Sequence, residues 1–310
     1  MSEPKKQHYV PQVYLKNFSF GNGKSPKIFV LSLDKDKVYQ SSIDDVAAER
    51  DFYTLENSEN KYAWENAYAK YVEPPLEKII KTLRNRCDNI FIQNDACVLN
   101  EEEKGVLSSG IIFQVLRGYY ARNYERALYD KLLPNVLEET KKRFSQLCKR
   151  NEKLVNQFSL TDKYFKEIAM EVTFSEESLI KYWSLLMQYK FIFCKIDGDD
   201  EYVTSDNPVF FMNCRTQRVG LFENGLINVS TVLYYPLSPK LLLIAFHPEH
   251  LVSICEEKDC CIKRISADKE KAFIYKHNKK QMEQCNNFVY SKNRELLEQL
   301  LQNKWQMSLH

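Results

Sequence analysis

YKFIFCKI, at positions 189–196, opens a region of the chain in which short β-prone runs follow one another. Valine, isoleucine, tyrosine and phenylalanine dominate these runs, and Gly, Asp, Asn and Pro separate them. Short runs of this composition between turn-forming residues are typical of β-strands. The pattern predicts a sheet in the second half of the chain, built from 189–196, 202–204, 209–212, 231–235 and 241–246.

Helical periodicity appears on both sides of this region. Pro74 and Pro75 interrupt the first helical stretch, so they should end or kink one helix and start the next. Glutamates 101–103 open another stretch with the negative charge that a helix dipole favours. We predict helices over 61–87, 101–132, 135–160, 175–188, 269–285 and 293–305, and an N-terminal β-hairpin from 27–33 and 37–39.

This grouping of elements is the one expected of an α+β protein. The expected architecture has an N-terminal hairpin, long central helices, an antiparallel or mixed sheet in the second half and C-terminal helices. No Pro/Gly-rich hinge and no internal repeat divides the sequence. We therefore expect one integrated domain over 1–310, with a largely helical middle at about 60–188 and a sheet-rich part at about 189–247.

Composition and charge disfavour several classes of function. Forty-four basic against 42 acidic residues give a net charge of +2, so any phosphate binding must be local. No apolar run follows Lys5 and Lys6, and no stretch is apolar enough to span a membrane. The nine scattered cysteines fit reduced thiols, and the eight glycines form no phosphate-binding loop. We expect a soluble cytoplasmic protein without Rossmann-type or ATP-dependent activity.

The N-terminal segment HYVPQVYLKNF, at positions 8–18, concentrates polar and aromatic side chains around a proline. Histidine exchanges protons near neutral pH, so His8 is a natural general acid or base. Alternatively, His8 and Gln12 could hydrogen-bond the backbone of an extended N-terminal arm. The segment alone leaves both roles open.

A second polar cluster, Ser205-Asp206-Asn207, lies between a β-prone run and Pro208, where it should turn the chain at a strand end. Asp206 could orient an imidazole, or it could bind a metal beside Asn207. Taken alone, the cluster favours a turn in which Asp206 and Asn207 hydrogen-bond their own backbone over a functional site.

Gln114 and Arg117 form a polar pair in an otherwise apolar helical stretch. A buried arginine needs a partner. Its guanidinium suits a carboxylate or a phosphate, so Arg117 could clamp a substrate phosphate or pair with Asp206 or Glu73 inside the fold.

Other candidate ligands are less well arranged. His247 and His250 precede cysteines 255, 260 and 261, but the spacing matches no usual zinc pattern. Glu65 and Glu73 could offer paired carboxylates, although a charged helix face explains them as well. Whether Asp206 or any other residue binds a metal stays open, as does the cofactor, for which a divalent metal such as Mg²⁺ is one candidate.

The opening H-Y-V-P-Q-x-Y-L-x-x-F resembles the start of a widespread, mainly bacterial family, domain of unknown function 4238. The resemblance continues in order over nearly the whole chain, through Asp51-Phe52-Tyr53, Gln114-x-x-Arg117, Thr204-Ser205-Asp206-Asn207-Pro208, Tyr235-Pro236-Leu237-Ser238-Pro239, Asn278 and Val289-Tyr290-Ser291. It brings no established activity, but it implies that these distant segments act as one unit. By association only, bacterial proteins of this kind without a transport or biosynthetic signature are often effectors of defence against phages.

Two functions of different classes follow. In the first, the protein is a hydrolase, most plausibly a nuclease or phosphodiesterase, with His8 as general acid or base, Asp206 orienting it or binding a metal, and Arg117 clamping phosphate. Its partner would be nucleic acid as substrate, not a membrane, and the sequence does not indicate an oligomeric state. The residues that would position the substrate are Gln12, Tyr14, Gln114, Ser205, Asn207 and Asn278.

In the second, the protein is a non-catalytic binding or regulatory protein, and the same residues form a buried hydrogen-bond network. Exposure distinguishes the two functions. A catalytic His8 must line a cleft with Asp206 and Arg117 in reach, whereas a structural His8 would be sealed with its polar atoms paired.

Overall fold

The computed structural model describes residues 6–21, 23, 25–55, 60–119, 121–123, 173–218, 224–250 and 256–307, with single positions 131, 138, 139 and 142. The described residues form helices and three sheets, which confirms the predicted α+β class. The helix predicted over 135–160 lies almost entirely outside them.

Eleven strands are formed by the described residues. In chain order they are β1 Lys6–His8, β2 Lys27–Ser32, β3 Lys37–Ser42, β4 Ala48–Arg50, β5 Lys190–Lys195, β6 Thr204–Ser205, β7 Phe210–Asn213, β8 Thr231–Ser238, β9 Leu241–Phe246, β10 Cys261–Arg264 and β11 Phe288–Ser291.

The described α-helices, in chain order, are α1 Gln12–Leu15, α2 Ala63–Ala67, α3 Glu73–Cys87, α4 Glu101–Leu116, α5 Glu176–Gln188, α6 Ala267–Gln284 and α7 Arg294–Met307. A 3₁₀ turn, Lys16–Phe18, follows α1, and a π-helical turn, Tyr68–Val72, joins α2 to α3. The predicted prolines lie in the first turn of α3. There the missing N–H groups cost no helical hydrogen bond.

The helix predicted over 101–132 ends earlier, at Leu116. Asn100 and Glu103 begin it with a capping box, in which each side chain bonds the backbone N–H of the other residue. Arg117 and Gly118 form a turn, and helical residues resume at Tyr119. Glycine has low helix propensity, which fits a break at this position.

The sheet predicted in the second half has five strands, in the order β10-β5-β9-β8-β7; the run predicted at 202–204 was wrongly assigned to it, because β6 belongs to another sheet. β10 and β5 are parallel and the other neighbours are antiparallel, so the sheet is mixed. Phe191 and Phe193 pack into the main core, whereas Ile192 and Cys194 pack into a second core. Burial of both faces explains why β5 is a nearly continuous apolar run.

The N-terminal hairpin is also present, and it belongs to a four-stranded sheet in the order β3-β2-β11-β6. β11, near the C-terminus, pairs antiparallel with β2 on one side and β6 on the other. A short separate ladder joins β1 to β4, with His8 opposite Ala48. The sequence did not predict β1, β4, β10 or β11 as strands, because each has only three or four residues and carries polar side chains.

Three clusters of buried side chains stabilise these layers. The main core joins the N-terminal arm, the hairpin, α3, α4 and one face of the five-stranded sheet. The second core lies between the other face of that sheet and α6, and the third packs α7 on the four-stranded sheet. None of the described helices is long and apolar enough to cross a membrane.

His277 on α6 is a buried imidazole at the edge of the second core. The rings of Tyr202, Phe210 and Tyr234 surround it, at centroid distances of 5.2, 5.8 and 6.1 Å. Within the described part of the chain, neither ring nitrogen has a hydrogen-bond partner. Burial therefore lowers the pKa of His277 to about 3, and the ring is neutral in the folded protein.

We expect His277→Leu to raise the free energy of unfolding by about 1–2 kcal/mol at pH 7, because an apolar side chain leaves no polar atom unpaired. The advantage should grow as the pH falls from about 6.5. There the unfolded chain binds a proton that the folded chain excludes, which costs the wild type up to about 1.4 kcal/mol per pH unit. Urea unfolding from pH 4 to 8 measures this, and an advantage that stays constant with pH would contradict it.

Candidate functional site

The N-terminal arm, residues 7–14, is fixed by several of the motif segments found in the sequence. The amide of Gln114 donates to the carbonyl of Tyr9 (3.2 Å), and the guanidinium of Arg117 donates to the carbonyl of His8. Gln7 accepts from the backbone N–H of Tyr53. Most of these contacts are to the arm's main chain, so they fix its position without occupying the imidazole of His8.

The hydroxyl of Tyr14 continues this attachment to the strands. It contacts the hydroxyl of Thr204 at 2.7 Å and donates to the carbonyl of Pro236 at 2.6 Å. Its ring stacks on that of Tyr235 at 5.2 Å. Tyr14 is fully buried and internally paired. It therefore anchors the arm.

His8 is half-buried, and its environment selects one tautomer. The amide nitrogen of Gln12 lies 3.2 Å from Nε2 of His8 and donates to a carboxylate oxygen of Asp44, also at 3.2 Å. An amide nitrogen can only donate, so Nε2 is an acceptor and Nδ1 carries the proton. Burial lowers the pKa of His8, as does the charge of Lys6, while Glu73 opposes them.

Arg117 lies beneath the arm and is 2% exposed. Its guanidinium donates to the carboxylate of Glu73 (3.2 Å) and the hydroxyl of Tyr53 (3.3 Å), in addition to the carbonyl of His8. It also lies over the ring of Tyr68, 4.3 Å from the centroid. Of the two carboxylate partners predicted for Arg117, Asp206 and Glu73, the structure shows the ion pair with Glu73.

Glu65 and Glu73 both lie near Arg117: Glu73 forms its ion pair, and the charge of Arg117 acts on Glu65. In a regular α-helix, residues eight apart are offset by about 80° around the axis. The π-helical turn between these two residues has wider turns, which reduces this offset, and such turns are frequent at functional sites. Burial raises the pKa of Glu65 to about 6; Arg117 lowers it and Glu73 raises it. Its Oε2 has no hydrogen-bond partner among the described residues.

Asp206 forms a different centre, at the turn between α6 and β11. Its carboxylate accepts the backbone N–H groups of Asn286 (2.7 Å), Asn287 (2.7 Å) and Phe288 (2.9 Å). The residue is 1% exposed, and burial raises its pKa to about 6 although these hydrogen bonds oppose the rise. The carboxylate holds this turn and makes no hydrogen bond to His8 in the described structure.

The neighbours of Asp206 bind α6 to the strand end. Gln281 donates to the hydroxyl of Ser205 (2.7 Å), and Asn207 donates to the carbonyl of Gln284 (3.0 Å). Asn278, one turn away on α6, accepts from the N–H of Val203 (3.0 Å) and donates to the carbonyl of Glu201 (2.8 Å).

The predicted site residues therefore fall into two groups. His8, Gln12, Gln114 and Arg117 meet at the arm, whereas Ser205, Asp206, Asn207 and Asn278 meet at the α6–β11 turn, and Tyr14 reaches from the arm to β6. The sequence did not single out Asp44 or Gln281, and it left Glu65 and Glu73 as an open alternative.

Possible metal ligands lie elsewhere in the described structure. Asp95, Glu257 and Cys261 have ligand atoms within 4.8 Å of one another. The ammonium of Lys263 contacts both carboxylates, the second at 2.6 Å, and so already supplies the positive charge. The ring of His250 contacts the carbonyl of Val229 at 2.9 Å.

Comparison with known proteins identifies the chain only at the level of a family. No curated protein and no solved structure matches it significantly. A family model described as "Protein of unknown function (DUF4238)" matches residues 6–295. The arm, the buried arginine and the α6–β11 turn all lie within that match, and the chain belongs to this family.

Proposed function

We propose that this protein is a hydrolase of phosphodiesters, a nuclease or phosphodiesterase, whose reaction site is His8 with Glu65 and Glu73. The observation that carries the proposal is the way the arm is held. Buried polar side chains fix the main chain around His8, while its imidazole stays half-exposed, with Gln12 on one nitrogen. Preorganised groups of this kind are what acid–base catalysis needs.

The two ionisable groups have complementary properties near neutral pH. The lowered pKa keeps His8 in its basic form, and its Nε2 would exchange the hydrogen bond from Gln12 for a proton from an attacking water. Glu65, with a pKa of about 6, is protonated in part of the molecules and could give a proton to the leaving oxygen. Glu73 influences both groups, because its negative charge raises the pKa of His8 and the pKa of Glu65.

The substrate class is proposed from local charge. The charges of Lys6 and Arg117 lower the pKa of His8 and that of Glu73 raises it, so two of these three charges place positive potential at the imidazole, although Lys6 is also paired with Asp45 and Arg117 with Glu73. Such a potential favours an anionic substrate, although the whole chain is almost neutral. Asp206 is assigned here to the α6–β11 turn, because its carboxylate accepts backbone hydrogen bonds there.

We expect purified protein to cleave single-stranded RNA, single-stranded DNA or duplex DNA, tested with and without Mg²⁺ or Mn²⁺. His8→Ala and Glu65→Gln should each lower the rate by about 100-fold or more, the usual scale of a lost proton-transfer group. Both variants should keep the wild-type Tm. His247→Ala, a histidine outside the site, is the matched control and should retain full activity.

No cleavage of any of the three substrates by wild type would count against this function, as would a His8→Ala variant that stays fully active. The absence of cleavage by wild type would favour the second candidate, a non-catalytic binding or regulatory protein. The specific observation behind that candidate is that Arg117 and Asp206 are both nearly inaccessible and internally bonded. For a non-catalytic protein of this kind, we expect His8→Ala to lower the Tm strongly. A role in defence against phages is compatible with either candidate.

A further inference from the structure

The connection between α3 and α4 lies along the outer edge of β10. The backbone of Cys97 in this connection forms an isolated antiparallel β-bridge with that of Cys261, at the start of β10. The hydrogen bonds of the bridge come from flanking residues: Val98 N–H to Cys260 O (2.9 Å) and Ile262 N–H to Ala96 O (3.0 Å). Cys97 and Cys261 are therefore a non-hydrogen-bonded pair, the closer type of antiparallel pair, with Cα atoms about 4.5 Å apart.

Neighbouring contacts show that side chains opposite each other here meet on one face. Val98 follows Cys97 and Ile262 follows Cys261, and the side chains of Val98 and Ile262 both pack into the main core. Cys261 itself packs into the second core, on the other face of the sheet. Successive side chains of a strand alternate between faces, so Cys97 also points away from the main core. The thiols of Cys97 and Cys261 therefore point to the same side of the ladder.

We propose that Cys97 and Cys261 form a reversible disulfide when the protein meets hydrogen peroxide. Disulfides span Cα separations of about 4.4–6.8 Å, and the pair falls within that range without a change of backbone. Both cysteines are free thiols in the structure, Cys97 exposed and Cys261 buried. The proposal does not depend on the function proposed above.

The exposed thiol reacts first. The thiolate of Cys97 attacks one peroxide oxygen and the O–O bond breaks, which gives a sulfenic acid; the departing hydroxide takes up the proton that the thiol had lost and leaves as one water. The sulfur of Cys261 then attacks the sulfur of Cys97, the S–O bond breaks, and the hydroxyl leaves as a second water with the thiol proton. Two thiols are oxidised and one peroxide is reduced to two waters. Cys97 gives up its contact with the carbonyl of Leu99.

The bond would join parts of the chain separated by more than half of its length. Such a cross-link limits the unfolded chain strongly, so the oxidised protein should be more stable than the reduced protein. It would also fix the α3–α4 connection to the sheet edge. Reduction by a thiol such as dithiothreitol should restore the free pair.

The test is peroxide treatment of the folded, full-length protein, followed by blocking of free thiols and peptide mapping. We expect one species lighter by two hydrogen atoms, with the Cys97 and Cys261 peptides linked, and a Tm higher by several degrees that dithiothreitol reverses. Cys97→Ser and Cys261→Ser should each abolish the link and the Tm shift. Cys214→Ser, a control thiol on another strand end, should keep both.

Three results would overturn the proposal. They are a link from Cys97 to Cys260 instead, full blocking of both thiols after peroxide treatment, and accumulation of Cys97 as sulfinic acid with Cys261 still free. Cys97 is exposed, so its serine variant should fold even if the buried Cys261→Ser variant does not.

Discussion

Arg117→Ala is expected to lower the free energy of unfolding by about 3–5 kcal/mol, the usual cost of breaking a buried ion pair by removing one partner. The guanidinium is 2% exposed and contacts the carboxylate of Glu73, the hydroxyl of Tyr53 and the carbonyl of His8. Its removal leaves these groups without their donor and takes the cation from the face of the Tyr68 ring. Urea unfolding at pH 7 measures the loss.

A matched control separates burial from charge. Arg50 pairs with Asp51 at 3.4 Å, but its side chain is 73% exposed. Arg50→Ala should therefore change stability by about 0.5 kcal/mol or less. Arg117→Lys should be intermediate, because a lysine keeps the charge but cannot reproduce the planar fork of donors. Equal effects of Arg117→Ala and Arg50→Ala would show that the buried network does not hold the arm.

The elements that the sequence predicted best are those whose residues carry their own signal. β5 and β9 are continuous apolar runs, the hairpin strands flank Asp34-Lys35-Asp36, and α3 starts at two prolines. The pairing of β11 with β2 could not be predicted, because the partners are far apart in the chain and nothing local specifies the match. β10, with two charged residues among four, also lacks a local signal.

For the candidate site, the sequence indicated residue types more reliably than partners. It predicted that a buried Arg117 needs an anionic partner, left a substrate phosphate and an internal carboxylate both open, and offered Glu73 as one of two such carboxylates; the structure contains that pair. It predicted a turn at Asp206, but the bonded N–H groups belong to residues 286–288 instead of the local backbone. The π-helical turn between Glu65 and Glu73 has no sequence signature, so their shared location emerges only from the fold.

The stability of Asp206 variants distinguishes a structural Asp206, which holds the α6–β11 turn, from a catalytic one. Asp206→Ala should destabilise the protein by about 3–5 kcal/mol at pH 7, because three backbone N–H groups lose their common acceptor. Asn207→Ala, next in the chain, removes one donor to the carbonyl of Gln284 and should cost about 1 kcal/mol. Urea unfolding of both variants beside wild type gives the comparison.

The pH dependence adds a second readout for Asp206→Ala. The folded pKa of Asp206 is raised from 3.8 to about 6, so between these values the folded state holds a proton that the unfolded state has lost. This contribution to stability is complete below about pH 3.8 and disappears as the pH rises through about 6. The alanine variant lacks it, so the substitution should cost more at pH 4 than at pH 7, by up to about 1.4 kcal/mol per pH unit. A variant that unfolds like wild type at both pH values, yet loses nucleic-acid cleavage, would instead assign Asp206 to the reaction.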